Sequence, residues 1–404
     1  MNIAFVTPRL FDQPGSGGEI CSARLLAALA AGGHGLHCLG RGAAAAPALS
    51  LGPVVRPFDE LSPWRRAGSL LAALASGQAS TVQRLDAGGA GRAARAGLAR
   101  GAGADVLVVD HLQAWAWLEP HQARLPAPLL VMHNLEAEGY AERAAQIAGG
   151  AGARLRRAVL EREARLLRRL EERALRAAAV VACLSEEDAQ QLRRQAAACG
   201  ARAPVEVLPG YPLQAPAAPR PPPCHGRRIG MMGTWTWGPN RSSLDWVLQQ
   251  VLPLLPPDCR LVLAGAGLEG LRLPPRVQAL GRVARAQDFY DAVDVLAIAS
   301  LGGSGVQEKS IEALATGLPV VATAHALRGL APGLPPQLQV ADGPARFAQL
   351  CQQATAPDAP VVQQWIAGRR RAYRDALGRC LEIAAARHGR PAADPRPAGS
   401  ACGA

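Results

Sequence analysis

The sequence predicts an α/β fold built from two similar halves, each with parallel strands joined by crossover helices. Short runs rich in β-branched residues alternate with helical stretches along both halves, which is the pattern of a parallel sheet. A proline-rich stretch at residues 212–223 separates the halves, because it can sustain neither a helix nor a central strand. Each half also places a glycine-rich turn between a strand and a helix, where α/β proteins bind anionic ligands.

Length and composition agree with a folded protein of several domains. The 404 residues are 49% hydrophobic, and at roughly 100 to 200 residues per domain they provide for two to four domains. Residues 1–6 predict a first strand rather than an export signal, since they lack a basic region and Pro8 interrupts the apolar run. The nine cysteines form no CxxC pair, and their odd number favours a reducing cytoplasm.

The chain is strongly basic, with a net charge of +12. Lys309 is the single lysine, so 43 of the 44 basic residues are arginines. Aromatic residues make up 4% of the chain and no arginine cluster is interleaved with them, which argues against a nucleic-acid partner. The charge instead favours an anionic substrate or an anionic membrane surface.

Strands in the first half are predicted at 3–6, 36–39, 106–109, 129–132, 180–183 and 205–208. A long helix at 154–176 carries Leu155 and Leu170 near one face, and it is either a solvated structural helix or a basic helix facing a membrane. Ser185 and Asp188 have the spacing of a capping box, which predicts a further helix from residue 186.

The second half repeats the alternation after the proline-rich stretch. Its strands are predicted at 228–232, 260–264, 277–280, 295–298 and 320–323. A long helix follows residue 360 and ends near residue 387. The tail from residue 389 is rich in proline, alanine and glycine, and we expect it to be disordered.

The glycine-rich turn at residues 15–18 would bring backbone N–H groups to an anion at a helix N-terminus. A dinucleotide-binding domain would also place an acidic residue at the end of the second strand. That strand ends in Leu39, Gly40 and Arg41, and the missing acid argues against a nicotinamide cofactor. No cofactor is expected.

The most informative segment, residues 302–321, predicts a glycine loop, a short helix and a strand. Ser304 and Gln307 have capping-box spacing, Gly317 suits the end of the helix, and Pro319 prevents its continuation. The N-terminus of this helix would then open toward the carboxyl ends of the strands. At that edge α/β sheets bind ligands, and the helix dipole favours phosphate.

This segment resembles the donor-nucleotide motif of family 4 glycosyltransferases of the GT-B fold, in the variant that begins Gly-Ser-Gly. The resemblance rests on the loop, on Glu312 and Ala313, and on residues 317–323. Shorter matches in the order and spacing of the family occur at residues 17–18, 33–34, 133–136, 185, 209–210, 233, 239–240, 265, 281 and 294.

The resemblance implies two Rossmann-like domains, with parallel sheets facing across a cleft and a C-terminal helix that crosses back to the first domain. An acceptor-side domain is expected at 1–212 and a nucleotide-sugar donor domain at 227–360, joined by a Pro-rich linker at 213–226. The crossing helix is expected at 361–388 and the disordered tail at 389–404.

The resemblance also implies an activity. The chain would be a hexosyltransferase-type, metal-independent glycosyltransferase that moves a sugar, with retention, from a nucleotide sugar to a hydroxyl of a sugar or lipid-linked acceptor. The family suggests polysaccharide or glycoconjugate biosynthesis in the cytoplasm, with peripheral contact to an anionic inner membrane face. Two alternatives stay open: a nucleotide-sugar epimerase, and a catalytically impaired nucleotide-sugar-binding scaffold.

The donor site is expected around the motif and the loops of the second domain. By resemblance, Glu312 hydrogen-bonds the nucleotide ribose, and Gly281 and Arg282 line the base. The other donor-binding residues are expected to be Gly233, Thr234, Gly303, Ser304, Gly305 and Val306.

The sequence departs from the family in two ways. Ser304 stands where the family usually has a Glu that contacts the transferred sugar. The usual basic pair after the first strand of the second domain is also absent from residues 233–240. We predict that Lys309 neutralises the diphosphate instead, because a compact ammonium approaches one phosphate oxygen where a guanidinium fork would not fit.

Polar residues end two strands of the acceptor half. Asp110 and His111 follow the third strand and His133 follows the fourth, at the edge where α/β sheets bind ligands. Histidine carries protons near neutral pH, so His111 and Asp110 join Lys309 as catalytic candidates. They would either take part in the reaction or only orient the acceptor. The candidate acceptor-binding residues are Gly17, Gly18, His133, Asn134 and Glu136, and no metal is expected.

Overall fold

The computed structural model describes residues 1–12, 15–42, 48–55, 61–86, 89–100, 103–147, 149–150, 152–214, 226–302, 305–330, 334 and 338–387. Most of the predicted linker and the whole of the predicted tail lie outside these residues, so both remain predictions. By its internal contacts the chain divides into two compact units. Unit 1 comprises Met1–Gly15, Leu25–Val207 and the residues from Asp375, and unit 2 comprises Ser16–Arg24 and Leu208–Arg374.

Unit 1 is built on a parallel sheet whose strands follow the order β3-β2-β1-β4-β5-β6-β7. The strands are β1 (Asn2–Arg9), β2 (Gly35–Arg41), β3 (Ala48–Ser50), β4 (Val106–Asp110), β5 (Leu129–Met132), β6 (Val180–Cys183) and β7 (Val205–Val207). β4, β5 and β6 are buried along their whole length, as their nearly uninterrupted apolar sequences predict for inner strands of a parallel sheet.

The helices that precede β8 are α1 (Gly17–Ala31), α2 (Pro63–Ser76), α3 (Ser80–Asp86), α4 (Ala90–Arg100), α5 (Leu112–Leu118), α6 (Glu136–Ala145), α7 (Ala153–Ala177) and α8 (Glu186–Cys199). The cap predicted for α8 is present, since Ser185 Oγ accepts from the Asp188 N–H at 3.1 Å. α7 buries Leu170 as predicted, but Leu155 is 70% exposed, so its placement on the apolar face is wrong. The buried face of α7 is formed mainly from residue 163 onward.

Unit 2 is built on a second parallel sheet, in the order β10-β9-β8-β11-β12-β13. Its strands are β8 (Arg228–Met232), β9 (Arg260–Ala264), β10 (Val277–Gly281), β11 (Val295–Ile298), β12 (Val320–Ala322) and β13 (Gln339–Val340). The remaining helices are α9 (Gly238–Trp246), α10 (Ala286–Asp291), α11 (Glu308–Ala313), α12 (Pro344–Gln353) and α13 (Ala359–Ala386). α1 and α13 each contribute residues to both units.

Each sheet reverses its strand order once. In unit 1 the reversal lies between β1 and β4, and in unit 2 between β8 and β11. Ligands of such sheets bind at the carboxyl ends of the strands beside this reversal. Asp110 ends β4, Gly233 follows β8, and Gly305 and Val306 follow β11, so these predicted site residues lie at the strand ends beside the reversals.

The predicted strands are all present, and the structure adds the short β3 and β13. The prediction of a helix that starts directly after Ser304 is wrong. Gly305 has a φ of +82°, which no helical residue adopts, and α11 begins at Glu308 with Gln307 as its N-cap. Within the described residues, no helix combines the length and apolar character needed to cross a bilayer.

Candidate functional site

In unit 2, the loops after β8, β9 and β10 are joined by backbone hydrogen bonds. The Gly233 N–H donates to the Ala264 carbonyl at 3.1 Å, and the Gly265 N–H donates to the Gly281 carbonyl at 2.7 Å. Gly265 has a φ of +115°, and a Cβ there would lie 1.9 Å from the Gly233 oxygen. Only glycine allows this approach, which fixes two of the predicted donor residues, Gly233 and Gly281, on one edge of the sheet.

Lys309 lies on the first turn of α11 and contacts the first turn of α9, which follows the loop after β8. Its Nζ donates to Asn240 Oδ1 at 3.2 Å, and Asn240 Nδ2 donates to the Thr234 carbonyl at 3.1 Å. Among the described residues, no carboxylate lies within 4.0 Å of the Lys309 ammonium. Burial lowers the pKa of Lys309 to about 8. A desolvated cation with only a neutral amide partner is suited to an anionic ligand.

Glu312 lies one turn further along α11. Its Oε1 accepts from the Leu213 N–H at 3.1 Å and lies 3.5 Å from Arg24 Nη2. Burial raises the pKa of Glu312, while the Leu213 hydrogen bond and Arg24 oppose the rise. The side chain remains 13% exposed, so this carboxylate is held at the surface of unit 2 by groups that stabilise its charge.

Arg24 and Glu308 form a buried pair that the sequence reasoning missed. Arg24 Nη2 and Nη1 donate to the two Glu308 oxygens at 2.6 and 3.2 Å, and Arg24 Nε donates to the Tyr211 carbonyl at 2.6 Å. The Cys21 thiol also donates to Glu308, at 3.0 Å. Burial acts to lower the pKa of Arg24, but Glu308 reverses this effect and the net shift is upward.

The remaining residues predicted at the donor and acceptor sites are distributed as follows. Gly17, a predicted acceptor residue, lies against Glu308, since a Cβ there would be 3.6 Å from two Glu308 carbons. It and Gly18 are grouped with unit 2, which also contains the predicted donor residues. Arg282 is exposed, and Val306 is half-buried beside Gly305. Gly303 and Ser304 lie outside the described residues.

In unit 1, Asp110 and His133 are brought together by the parallel pairing of β4 with β5. His133 Nε2 lies 2.6 Å from Asp110 Oδ1, and Thr7 Oγ1 donates to Asp110 Oδ2 at 2.9 Å. Asp110 is fully buried and His133 is 4% exposed. The carboxylate thus fixes the orientation of the imidazole, as the acid of a catalytic acid–histidine pair does.

His111 stacks on His133 with ring centroids 3.7 Å apart. Among the described residues it is the one non-glycine residue with a positive φ, +72°, and it occupies the N-cap position of α5 without a capping hydrogen bond from its side chain. Burial lowers the pKa of His111 to about 4, and His133 adds to this effect while Asp110 opposes it. The imidazole is therefore neutral at pH 7 and able to accept a proton or a hydrogen bond.

Asp110, His111 and His133 also offer metal-type ligand atoms that all lie within 4.8 Å of one another. Two ligands of one zinc ion, each about 2.1 Å from it, lie about 3 Å or more apart. The Asp110–His133 distance of 2.6 Å is shorter and matches a hydrogen bond. In this arrangement the carboxylate and the imidazole bind each other rather than share an ion.

Two further acceptor candidates lie at the start of α6. Glu136 is half-buried, and burial raises its pKa, whereas a hydrogen bond with Gln113 and the charge of Arg143 lower it. Asn134 is exposed. The structure therefore places Glu136 and His133 within electrostatic range of each other and leaves Asn134 accessible to a ligand.

Comparisons with known proteins concern the family and the fold. Residues 226–356, which lie in unit 2, match the family model of glycosyl transferases group 1. The solved structure of Anabaena Alr3699/HepE in complex with UDP-glucose is similar, with a TM-score of 0.53, 17% identity, and coverage of 95% of this chain and 98% of that chain. The comparison with curated proteins gave no match.

Two other solved structures are similar over nearly the whole chain. The lipopolysaccharide outer core galactosyltransferase WaaB has a TM-score of 0.53 and 11% identity, covering 94% of this chain and 99% of that chain. WaaG, a glycosyltransferase involved in lipopolysaccharide biosynthesis, has a TM-score of 0.51 and 16% identity, covering 95% and 98%. These findings bear out the resemblance seen in the sequence: residues 226–356 are similar to the glycosyl transferases group 1, and the fold of the chain is that of the GT-B glycosyltransferases.

Proposed function

We propose that the protein is a glycosyltransferase that moves a sugar from a nucleotide-sugar donor to a hydroxyl acceptor. In this reaction the bond between the anomeric carbon and the diphosphate oxygen breaks and its electrons remain on the diphosphate. A bond to the acceptor oxygen forms, and the hydroxyl proton is released. The matched family model and the fold support transfer, and the similar HepE structures contain UDP-glucose or UDP.

The environment of Lys309 is the observation that carries the proposal. A partly buried ammonium whose hydrogen-bond partner among the described residues is a neutral amide is costly unless an anion arrives. Lys309 stands at the carboxyl edge of the sheet beside glycine-rich loops. A nucleoside diphosphate would supply that anion. Lys309 would then stabilise the charge that grows on the diphosphate as the glycosidic bond breaks, without reorganisation during the step.

Other donor contacts follow from the family resemblance. Glu312 would bind the ribose hydroxyls, and Gly281 and Arg282 would line the base. The backbone of Gly233, Thr234, Gly305 and Val306 would approach the phosphates, with Gly303 and Ser304 near the transferred sugar. Ser304 replaces the usual carboxylate there, so we expect sugar recognition to rely on hydroxyl or backbone hydrogen bonds.

We propose that the Asp110–His133–His111 cluster serves the acceptor. The neutral His111 imidazole would accept a hydrogen bond from the hydroxyl, with Asp110 and His133 keeping its neighbourhood rigid. Gly17, Gly18, Asn134 and Glu136 would add acceptor contacts. In a retaining, metal-independent reaction, catalysis depends mainly on stabilising the charge of the departing diphosphate. The cluster would therefore serve mainly to orient the acceptor hydroxyl, and it could also accept the hydroxyl proton.

We further propose that the transferred unit is a hexose and that the product belongs to polysaccharide or glycoconjugate biosynthesis. The enzyme would work in the cytoplasm and touch the anionic inner face of the membrane, where lipid-linked acceptors reside. The net charge of +12 supports this location, since basic surfaces are attracted to anionic lipid.

The test is a thermal-shift panel of nucleoside diphosphates and nucleotide sugars. Ligand at 100 times Kd adds about 2.7 kcal/mol of stability, which is a clear shift. Wild type is compared with Lys309→Ala and Glu312→Ala, and with Glu382→Ala, an exposed acid of α13 outside the site. We expect one nucleotide class to stabilise wild type and the control but neither site variant.

A second assay separates the alternatives. Slow hydrolysis of the stabilising nucleotide sugar without acceptor, with transfer when acceptor extracts are added, would support the transferase. Release of a free epimer would identify an epimerase. Binding without hydrolysis or transfer would identify a scaffold, and no nucleotide binding at all would rule out a donor site in unit 2.

A further inference from the structure

Helix α2 carries a row of apolar side chains that faces solvent. Trp64 is 87% exposed, Leu71 66% and Leu74 57%. Leu71 follows Trp64 by seven positions and Leu74 follows Leu71 by three. The exposed Ala67 lies three positions after Trp64, so all four side chains fall on one face of the helix. We call this face the α2 stripe.

The α2 stripe is not the face by which the helix packs on its own unit. Ala73 is the buried residue of α2, and Leu70 is half-buried, so a different side of the helix makes the packing contact. α2 is therefore apolar on both sides. Soluble proteins rarely leave large apolar side chains grouped in water unless the group contacts a partner or a membrane.

The charges around the α2 stripe indicate the partner. The helix contains no acidic residue, and Arg65 and Arg66 stand at its N-terminal end beside Trp64. Arg66 Nε donates to the Leu61 carbonyl, but Arg65 is exposed and has no hydrogen bond or ion pair with the described residues. Arg65 and Arg84 line one groove beside the helix, which adds positive charge along its edge.

We propose that α2 docks on an anionic lipid bilayer, with the α2 stripe at the boundary between headgroups and acyl chains. Trp64 has the apolar ring and polar N–H that favour the headgroup level, and Leu71 and Leu74 reach the acyl chains. Arg65 contacts lipid phosphates. The α2 stripe would be the surface that makes the membrane contact proposed above, so this inference rests on that part of the proposed function.

A second copy of the chain is a less favourable occupant. Pairing two stripes would bring together helices that carry arginines and no carboxylates, in chains that each have a net charge of +12. An anionic bilayer instead offers opposite charge and apolar depth at the same surface. Docking should therefore weaken as salt screens the arginines.

The experiment is sedimentation with vesicles of phosphatidylcholine alone or mixed equally with phosphatidylglycerol. Wild type is compared with Trp64→Ser/Leu71→Ser, with Arg65→Gln, and with Leu155→Ser as the matched control, a 70% exposed leucine of α7 in the same unit. We expect wild type and the control to bind phosphatidylglycerol vesicles and the stripe variant to lose about tenfold or more in partitioning. Arg65→Gln should lose about fivefold, with a shallower salt dependence.

Several outcomes would overturn the docking proposal. Equal binding by wild type and the stripe variant would do so, and loss in Leu155→Ser alone would place the membrane surface on α7. Dimerisation of wild type in sedimentation velocity, lost in the stripe variant and without vesicle binding, would make the stripe a contact between copies. Nucleotide thermal shifts on the same variants distinguish a loss of membrane docking from a loss of the donor site, since each variant should retain the wild-type shift.

Discussion

Arg24 and Glu308 form a two-pronged ion pair within unit 2 although 284 positions separate them in the sequence. Their side chains are 1% and 5% exposed. Replacing Arg24 by Met would leave the Glu308 carboxylate buried without its cation, and such losses cost about 3–5 kcal/mol. Urea unfolding should show this loss, and Arg24→Met/Glu308→Gln should recover part of it because the remaining charge is also removed.

Arg371→Met is the matched control for that cycle, because Arg371 is an exposed arginine of α13 in the same unit. We expect its unfolding free energy to stay near the wild-type value. If the single Arg24 variant were as stable as this control, the pair would contribute nothing to the position of α11.

A second prediction concerns Gly265, where a Cβ would lie 1.9 Å from the Gly233 oxygen. Gly265→Ala must displace the loop after β8. We expect both lower stability and weaker nucleotide binding, because the Thr234 carbonyl of this loop accepts from Asn240, the α9 residue that contacts Lys309. Strain of this kind costs on the order of 1–3 kcal/mol. Thermal melts with and without nucleotide measure both effects.

Gly238→Ala provides the comparison, since a Cβ there meets nothing within 4 Å and the residue opens α9. This variant should melt and bind like wild type. Equal behaviour of the two alanine variants would mean that the loop adapts and that glycine at 265 is not required.

The sequence was sufficient for the strands and for the residues on strand ends. Asp110 and His133 could be placed together because apolar runs define β4 and β5 and parallel strands end on one edge. Lys309 and Glu312 could be placed on α11 because the glycine loop and the family motif surround them. These predictions depended on local patterns or on fixed spacing, which a single sequence contains.

The Arg24–Glu308 pair could not be predicted in this way. Glu308 reads locally as an acid in the first turn of a helix, which the helix dipole alone would explain, and Arg24 is one of 43 arginines. Their partnership depends on tertiary packing of α1 residues 16–24 with unit 2. β3 and β13 escaped prediction for a simpler reason, since three and two residues are too short for a periodic pattern.

A third prediction concerns the pH dependence of nucleotide binding. Lys309 has a pKa of about 8 in the free protein, and only its protonated form neutralises a diphosphate. The apparent Kd should therefore be flat below about pH 8 and rise by up to about tenfold per pH unit above it, until deprotonation within the complex begins. Isothermal titration with a nucleoside diphosphate between about pH 6.5 and 9.5, on both sides of the lowered lysine pKa, measures the profile.

Lys309→Arg should bind more weakly than wild type, because the guanidinium fork fits the phosphate less well, but its profile should be flat across the same range, because guanidinium keeps its proton there. An unchanged upward bend in that variant would assign the titration to another group. A flat profile in wild type would show that Lys309 stays protonated and does not control binding through its charge state.

The last prediction concerns His111 and acid stability. Its pKa is about 4 in the folded protein and near 6.5 when unfolded, so between these values the unfolded chain binds a proton that the folded chain refuses. Unfolding free energy should fall as pH drops from 6.5 toward 4, with a slope of up to about 1.4 kcal/mol per pH unit from this residue. Above pH 6.5 the contribution is constant.

The variant His111→Asn separates the titration of the His111 ring from the effect of the backbone conformation at this position. Asparagine keeps a non-glycine side chain on the same strained backbone, at φ +72° and ψ 144°, and it also serves as a helix N-cap, so the start of α5 should be no more strained than in wild type while the titrating ring is lost. Urea unfolding of both proteins is measured from about pH 4.5 to 7, which covers most of the window between the two pKa values. The difference between their unfolding free energies should grow as pH falls. Acids that do not interact with the His111 ring contribute equally in both proteins and cancel in that difference, whereas Asp110 and His133 interact with the ring and are part of the measured effect. Parallel curves would mean that the His111 ring takes up its proton in the folded state as readily as in the unfolded chain.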